Sequence, residues 1–542
     1  MNRSASGKAR IDKAESAAFF LLAAAVLSRL LFAGRIGPEG MGYLSEGLEV
    51  YALVLTAVGQ TAARATASLV RSRVGKGHLK SAHRLMKTAL WMTAGVGILL
   101  GVFCIAGAGI LSESFFLSPL SYLTLIAAGP GIVFLGVAGV VRGYFQGTRL
   151  TTATLQSYFL QALLYAAAGT LGGALFFSYG EKVAALLRDE RYAAAYGAAG
   201  VMAGVSAASV LTLLHLTVIY FLTRRTAAKR RVENDVQYAQ EKSGSLCRLF
   251  PATWLPFFLC ALPGALVLLC DARIYFATAN AQESAYADWG SFYGKTLPFV
   301  QGLAFLLTIP FTGLILSLAR EWSRGSGQNY RNRFGIAVRL SLYLTVPAAF
   351  LLTALSGLLS PALYGGEDAV MQTTMTVAAV TLILLGTSQL FAQLLLRTGH
   401  LPALILAGVA ALSGQAVVLA LLRRAAGMGI EAAAIAWLVY CLLLLILQSL
   451  LGCRVVRLRL SLLGDLVRIV LCAAIAAVPV YLMAPPLQGV IGAPAALAVS
   501  LLVFYLIYLI LSLFTGAADL YHIDRIPGGI LLVRIARLFR LV

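Results

Sequence analysis

The chain of 542 residues has few charged side chains for its length, and acidic side chains are especially scarce. Charged residues make up 12% of the sequence and hydrophobic residues 60%, whereas about a quarter of an ordinary soluble domain is charged. This composition leaves too little polar surface to cover a water-soluble core of such a size. It excludes a soluble enzyme and predicts a protein that lies within a membrane.

Basic residues are the exception to this scarcity, because 43 lysines and arginines face only 22 acidic residues, for a formal net charge of +21. In a soluble protein such an excess would suggest nucleic acid as a partner. Here no soluble domain presents a basic face with interleaved aromatic residues. The basic residues lie instead in short loops between apolar segments, which is typical of cytoplasmic loops. We therefore expect no nucleic-acid partner.

Catalytic and metal-binding motifs are also missing. The seven cysteines lie in or beside apolar segments without C-x-x-C spacing, so neither a disulfide framework nor a metal site is indicated. The sequence contains no G-x-S-x-G elbow, no Walker lysine loop and no H-E-x-x-H motif, and its five histidines are scattered. We predict no enzyme activity, no cofactor and no bound metal.

Long apolar blocks of about 20 residues fill most of the chain, and this length spans the hydrocarbon core of a bilayer. The predicted fold class is an all-α polytopic membrane protein with about fourteen transmembrane helices. The predicted spans are 15–34, 41–63, 85–110, 120–141, 151–178, 196–222, 253–276, 292–318, 336–359, 375–397, 401–422, 430–451, 466–484 and 491–514.

The charges of the loops alternate between the two sides of this arrangement. Most basic residues fall in the loops of one side, for example in 64–87, 224–248 and 320–339. A miscounted helix would scramble the alternation from that point onward. The pattern therefore predicts an inner-membrane protein with both termini in the cytoplasm. The opposite loops collect acidic residues: Glu39, Glu113, Glu283, Asp288, Glu367 and Asp368.

Two halves of the chain resemble each other at an offset of about 250 residues. Ser68–Arg71 recurs as Ser317–Arg320, and the turn after helix 4 resembles the turn after helix 10. Six helices per half give both halves the same orientation, which in transporters brackets a central substrate pathway. The predicted parts are a cytoplasmic N-terminus (1–14), a first lobe (15–222), an inter-lobe loop (223–252), a second lobe (253–451), two further helices (452–514) and a basic amphipathic tail (515–542).

Charged residues at membrane depth are the candidate site, because they persist mainly where they face a water-filled cavity or a partner. Arg29 lies deepest, and by the repeat Glu46 and Lys295 occupy corresponding positions, as would suit a gate that closes by ion pairing. The alternative for residues near helix ends is that they extend to the interface and do nothing more. The full candidate set is Arg29, Arg35, Glu46, Glu49, Asp271, Arg273 and Lys295.

Several stretches resemble the stage V sporulation protein B and lipid II flippase branch of the multidrug/oligosaccharidyl-lipid/polysaccharide exporter superfamily. They are SRLLFAGRIGPEGMGYLSEGLEVY (28–51), VVRGYFQG (140–147), YGAAGVMAG (196–204), LLCDARIYF (268–276), GLLSPALYG (357–365) and GIEAAAIAW (429–437). The RGYFQG motif is the most specific piece, and its structural residues are Arg142, Gly143, Gln146 and Gly147.

The resemblance implies two six-helix lobes around a central cavity and alternating access for an undecaprenyl-diphosphate-linked saccharide. It also implies that arginines of helix 1, here Arg29 and Arg35, bind the anionic headgroup. The chain departs from the branch at Glu46 and Glu49, where small or polar residues are usual, and at Leu396–Thr398, where Leu-Gln-Gly is usual. On helix 11 only Gln415 could serve as a sodium ligand.

Three functions remain open at this stage. The first is a flippase for a lipid-linked wall or polysaccharide precursor, with membrane lipids and a polyprenyl-diphosphate-linked saccharide as partners. The second is a cation-coupled multidrug exporter of the same superfamily. The third is a non-transporting scaffold that recruits cell-wall synthesis enzymes.

Overall fold

The computed structural model describes residues 13–234, 243–278, 284–311, 327–456 and 463–516. Helices account for nearly all of these residues, and no strand occurs among them. A helix satisfies its own backbone hydrogen bonds, which is what hydrocarbon surroundings demand. The predicted all-α class is confirmed.

Seventeen α-helices are present in the described residues, joined by short π-helical and 3-10 turns. The π turns are Val54–Gln60, Leu111–Phe116 and Phe292–Thr296. The α-helices are α1 (Lys13–Leu53), α2 (Thr61–Gly75), α3 (Leu79–Ala106), α4 (Ala108–Ile110), α5 (Tyr122–Gly147), α6 (Thr151–Leu187), α7 (Arg191–Asn234), α8 (Ser243–Thr278), α9 (Ser284–Ser291), α10 (Leu297–Thr308), α11 (Gly327–Ala354), α12 (Ser356–Tyr364), α13 (Ala369–Arg397), α14 (Leu401–Arg424), α15 (Glu431–Val456), α16 (Leu463–Ile491) and α17 (Ala493–Phe514).

Twelve helical stretches of the described chain are long and apolar enough to cross a membrane. The first, Ser16–Gly75, has 60 residues, about 90 Å of straight helix and so enough for two spans. The other stretches coincide with predicted spans. The predicted span 292–318 is described only as far as residue 311. The count of about fourteen therefore agrees with the structure, although the residues that would complete one span lie outside the described part.

The first predicted span and most of the second lie in α1 (Lys13–Leu53), and this helix folds back on itself. Gly37 interrupts it with φ 71° and ψ 177°, a conformation that glycine adopts without penalty, and Pro38 follows. Arg29 and Glu49 are in contact across this break, whereas 20 residues of straight helix would hold them about 30 Å apart. The chain reversal therefore occurs between the predicted spans 15–34 and 41–63.

The described chain divides into two compact units. One comprises residues 20–295 with 416–427, and the other comprises the remaining residues. The first unit includes residues 253–276, which the sequence assigned to the second lobe. The predicted lobes describe which helices move together during transport. The division into compact units does not test this, so the lobes stay a prediction.

Within the first unit, α6 and α7 pack closely because small residues line their contact. A β-carbon on Gly204 would overlap the carbonyl group of Ala168, and one on Gly200 would overlap Gly172. Close backbone approach through small residues is the usual means of helix association in membranes.

Within the second unit, hydrogen bonds from tyrosines fix α11 against α17. The hydroxyl of Tyr508 donates to the carbonyl oxygen of Tyr343 at 3.0 Å. The hydroxyl of Tyr343 lies 3.0 Å from that of Ser512. Buried tyrosines need such partners, because an unpaired hydroxyl is costly away from water.

Two tight turns support the internal repeat. After α5, the amides of Thr148 and Leu150 donate to the carbonyls of Tyr144 and Phe145. After α13, the amides of Thr398 and His400 donate to Leu394 and Leu395 in the same pattern. The central residues, Arg149 and Gly399, both have positive φ, 67° and 83°. The equivalent turns are thus offset by 250 residues.

Many large apolar side chains are exposed, as expected where lipid replaces water. Trp91 is 81% exposed, Leu186 83% and Val490 82%. An exposed apolar surface of this extent would be unstable in water. The chain is therefore a multi-pass membrane protein.

Three predicted features lie outside the described residues. They are most of the amphipathic tail (517–542), the N-terminal segment before residue 13 and part of the inter-lobe loop (235–242). The repeated segment Ser317–Arg320 also lies outside them.

Candidate functional site

A buried ion pair forms the centre of the candidate site. Arg29 is 5% exposed and Glu49 is 7% exposed. Nη2 of Arg29 donates to Oε1 of Glu49 at 2.6 Å. The break at Gly37 makes this contact possible, because it brings the two arms of α1 side by side. Both residues were predicted from their charge at membrane depth, but their pairing was not predicted.

Tyr293, in the π turn Phe292–Thr296, completes the group. Its hydroxyl donates to the same Oε1 of Glu49 at 2.8 Å. Its ring also lies beneath Arg29, with Cζ of the guanidinium 4.1 Å from the ring centroid. A cation over an aromatic face is stabilised by the ring quadrupole, and more strongly so away from water. Tyr293 therefore holds both members of the ion pair.

Two donors of Arg29 are left over. Nε and Nη1 are buried and have no hydrogen-bond partner in the described part of the chain. A guanidinium carries five N–H groups, so Glu49 satisfies only part of its capacity. Planar double donation of this kind matches carboxylate and phosphate oxygens. Arg29 therefore keeps donor groups of the kind that suit an anionic partner.

Arg35 does not join this group. It lies on α1 six residues beyond Arg29 and is exposed. Its predicted role in headgroup binding stays a prediction.

Glu46 lies one turn before Glu49 but in a different environment. It is fully buried at 0% exposure, and neither of its carboxylate oxygens makes a hydrogen bond. The hydroxyl groups of Ser118 and Ser121, which lie 2.6 Å from each other, interact electrostatically with this carboxyl group. Glu46 forms no ion pair with Lys295, so the pairing inferred from the repeat does not occur in this structure. The repeat relates sequence positions and does not bring the side chains together.

The three other charged residues of the candidate set lie near the middle of the sequence. Asp271 on α8 is 1% exposed, Lys295 in the π turn is 8% exposed, and Arg273 is half-buried. The hydrogen bonds of Arg29 and Glu49 do not include these three residues. Their predicted participation in substrate binding stays a prediction.

The RGYFQG motif forms a second buried polar group, around Arg142. Nε of Arg142 donates to Oγ of Ser157 at 2.9 Å, and Nη2 donates to Oε1 of Gln161 at 2.6 Å. The guanidinium also lies 4.3 Å from the ring centroid of Tyr158. Arg142 is 4% exposed. These contacts connect the end of α5 to the start of α6.

The glycines of the motif permit close packing of α5 on α2. A β-carbon on Gly143 would overlap the carbonyl of Ala63, and one on Gly147 would meet Val70. Gln146 is half-buried. The structural role that the sequence assigned to these residues stays a prediction.

Reasoning from sequence missed the neutral members of both groups. Tyr293, Ser157 and Gln161 carry no charge, so the rule that singles out charges at membrane depth passes over them. One available signal was the position of Tyr293 two residues before Lys295, at the start of a predicted span. Interfacial tyrosines are common there, which makes the signal unspecific.

No cluster of three or more histidine, cysteine or acidic side chains that could hold a metal occurs among the described residues. All seven cysteines are free thiols.

Comparison with known proteins identifies one curated relative and several solved structures with a similar fold. No protein-family model matches the chain. Stage V sporulation protein B of Bacillus subtilis (strain 168) is 22% identical over 343 residues, 63% of this chain. The match spans 64% of that protein, slightly less than two thirds of its length.

Solved structures agree over more of the chain. Lipid II flippase MurJ in an inward closed conformation superposes with a TM-score of 0.63 at 13% identity, covering 92% of this chain and 98% of that one. An inward-facing multidrug resistance MATE family transporter of the MOP superfamily gives 0.62 at 13% identity, covering 82% and 98%. At such identities the similarity establishes the fold. The chain therefore has the fold of the MOP-superfamily transporters, and its sequence resembles stage V sporulation protein B.

Proposed function

We propose that the chain is a flippase that carries an undecaprenyl-diphosphate-linked saccharide across the bacterial cytoplasmic membrane by alternating access. The cargo is a lipid II-like peptidoglycan precursor or a polysaccharide repeat unit. Membrane lipids are its surroundings, and cell-wall synthesis enzymes are its expected neighbours. In this proposal both termini lie in the cytoplasm.

The observation that carries the proposal is the state of Arg29. This arginine is buried, lies over an aromatic ring and keeps two donors without partners. Burying a guanidinium is expensive, and its unused donors add to the cost. A phosphate group would satisfy them, because charge-assisted hydrogen bonds to phosphate oxygens suit the planar guanidinium.

The physical need for such a site is clear for a diphosphate headgroup. Its charges cannot cross hydrocarbon unaided, since losing their hydration costs many kcal/mol. An arginine within the protein replaces part of that hydration, while the polyprenyl tail remains in lipid. The membrane potential favours export, because moving two negative charges outward across roughly 100 mV releases about 4–5 kcal/mol.

A cation-coupled multidrug exporter is the second candidate. Buried Glu46, which makes no hydrogen bond, favours it, because a carboxylate without a partner can bind a cation or a proton. The pairing of Glu49 with Arg29 weighs against it, since that carboxylate is already neutralised. A non-transporting scaffold is the third candidate, and it makes no use of the buried charges.

The test is the headgroup accessibility of a lipid-linked wall precursor in cells depleted of other flippases. We compare the wild-type chain, Arg29→Ala and the control Arg149→Ala, which replaces an exposed arginine at the turn after α5. The expected result is external precursor with wild type and control, and its loss with Arg29→Ala at equal membrane levels. If wild type moves no precursor, the flippase assignment falls and drug export becomes the better candidate.

A further inference from the structure

The Arg29 group contains its own anion, and that anion is Glu49. Oε1 of Glu49 receives hydrogen bonds from both Nη2 of Arg29 and the hydroxyl of Tyr293. All three side chains are buried. A carboxylate oxygen held by a guanidinium and a phenol is in the position that a phosphate oxygen would take. Nη2 of Arg29 and the hydroxyl of Tyr293 are thus occupied by a carboxylate of the chain itself, while Nε and Nη1 of Arg29 have no partner in the described residues.

The negative charge of Glu49 affects how strongly an anion can bind at Arg29. Arg29 and Glu49 together carry no net charge, and the phenols of Tyr293 and Tyr165 lie beside them. A neutral pair attracts an anion less strongly than an unpaired Arg29 would. An anion that does reach Arg29 meets the like charge of Glu49, and the two charges repel each other at such short range.

We propose that Glu49 is the resident counter-ion of Arg29 in the empty carrier and that the phosphate group of the cargo displaces it. Glu49 thereby weakens anion binding and allows the cargo to be released, because the carboxylate returns to Arg29 as the phosphate leaves. This inference rests on the proposed anion-binding role of Arg29, and it assigns to Glu49 the control of affinity at that site.

Tyr293 takes part in the same exchange. Its hydroxyl holds Glu49 while its ring face supports Arg29. Removing the hydroxyl alone would loosen the carboxylate and leave the ring beneath the guanidinium. We therefore expect Tyr293→Phe to change the affinity for anions in the same direction as removing the charge of Glu49, but by a smaller factor.

The experiment measures binding of farnesyl diphosphate to the purified full-length chain in detergent by calorimetry, with inorganic pyrophosphate as a second probe. Glu49→Gln keeps the shape and an acceptor oxygen but removes the charge. We expect it to bind farnesyl diphosphate at least tenfold more tightly than wild type, and Tyr293→Phe to bind a few times more tightly. Glu113→Gln, the same change at an exposed position, should bind as wild type does.

Inorganic pyrophosphate separates headgroup recognition from tail recognition. The same ratio between Glu49→Gln and wild type with both probes places the competition at the phosphate groups. A ratio present only with farnesyl diphosphate overturns the inference, because the effect then concerns the lipid tail. Tighter binding that persists in the double variant Arg29→Ala/Glu49→Gln also overturns it.

The outcomes for the two proposals are distinct. If Arg29→Ala abolishes binding while Glu49→Gln and Tyr293→Phe leave affinity unchanged or weaker, Glu49 is no competitor and only the inference falls. If Arg29→Ala binds as well as wild type, the anion site itself falls. Should Glu49→Gln fail to fold, the Tyr293→Phe comparison decides the question alone.

Discussion

Arg142 and Gln161 are joined by a 2.6 Å hydrogen bond from Nη2 to Oε1 that connects α5 to α6. Every hydrogen-bond acceptor of the Arg142 guanidinium in the described chain is neutral, namely the side chain of Gln161 and the hydroxyl and carbonyl oxygens of Ser157. The ring of Tyr158 supports its face. A buried cation is thus stabilised by oriented dipoles and a ring rather than by a carboxylate.

This arrangement predicts that Arg142→Lys destabilises the protein by about 2–3 kcal/mol, because lysine lacks the planar fork and the stacking face. Thermal unfolding in detergent measures the effect. Arg149→Lys is the matched control, since Arg149 is exposed at the end of the same helix. Equal midpoints for Arg142→Lys and wild type would contradict the structural role of the motif.

The crossing of α6 and α7 gives a second prediction. Gly204→Ala inserts a methyl group into the carbonyl of Ala168, and we expect it to destabilise the protein by about 1–3 kcal/mol, the usual cost of overpacking. Gly95→Ala is the control, because nothing lies within 4 Å of a β-carbon at that helical position. Unfolding midpoints of the two variants should differ. A midpoint for Gly204→Ala equal to that of Gly95→Ala would show that the helices separate easily there.

Most of the fold could be predicted from the sequence, because hydrocarbon permits only a helix for an apolar block of spanning length. The assigned helices often extend beyond the apolar blocks, as in α7, which continues to Asn234. Hydropathy detects the part of a helix that lies in lipid, whereas backbone hydrogen bonding continues into the polar ends. Which helices contact one another cannot be predicted in the same way, because a single sequence carries no pattern for these contacts that is as clear as hydropathy.

The candidate site was predicted only in part, for a reason that Arg29 illustrates. Its depth singled it out, but its pairing with Glu49 on the second predicted span is not visible when the helices are considered one at a time. Glu49 reaches it because the chain reverses at Gly37. Tyr293 is 244 residues away from Glu49, and no local pattern connects the two. Charge can be recognised in sequence, whereas neutral partners require the fold.

The start of α13 gives a third prediction. Oδ1 of Asp368 accepts a hydrogen bond from the amide of Met371 at 3.0 Å, which is the geometry of an N-cap. We expect Asp368→Ala to destabilise the protein by about 1 kcal/mol. Glu367→Ala removes the same charge one residue earlier, at an exposed position, and tests the helix-dipole contribution alone. If the two variants unfold at the same denaturant concentration, the cap itself contributes nothing.

Two glutamates one helical turn apart predict opposite responses to the same substitution. Glu46 is fully buried and its carboxylate oxygens have no hydrogen-bond partner in the described chain, so Glu46→Gln removes a carboxyl group that can ionise there only at a high cost. We expect this change to stabilise the protein by about 1–3 kcal/mol. Glu49 accepts from Arg29 and Tyr293, so Glu49→Gln leaves a buried guanidinium without its counter-charge. We expect that change to destabilise the protein by about 2–4 kcal/mol.

Thermal unfolding of the two variants at neutral pH, with Glu113→Gln as an exposed reference, measures both effects under one condition. The sign of each shift is the informative quantity, because a general effect of removing negative charge would move all three midpoints in one direction. A lower midpoint for Glu46→Gln would mean that its carboxylate has a stabilising partner in solution. An unchanged midpoint for Glu49→Gln would mean that Arg29 needs no counter-ion, and the displacement of Glu49 by a cargo phosphate would then lose its energetic basis.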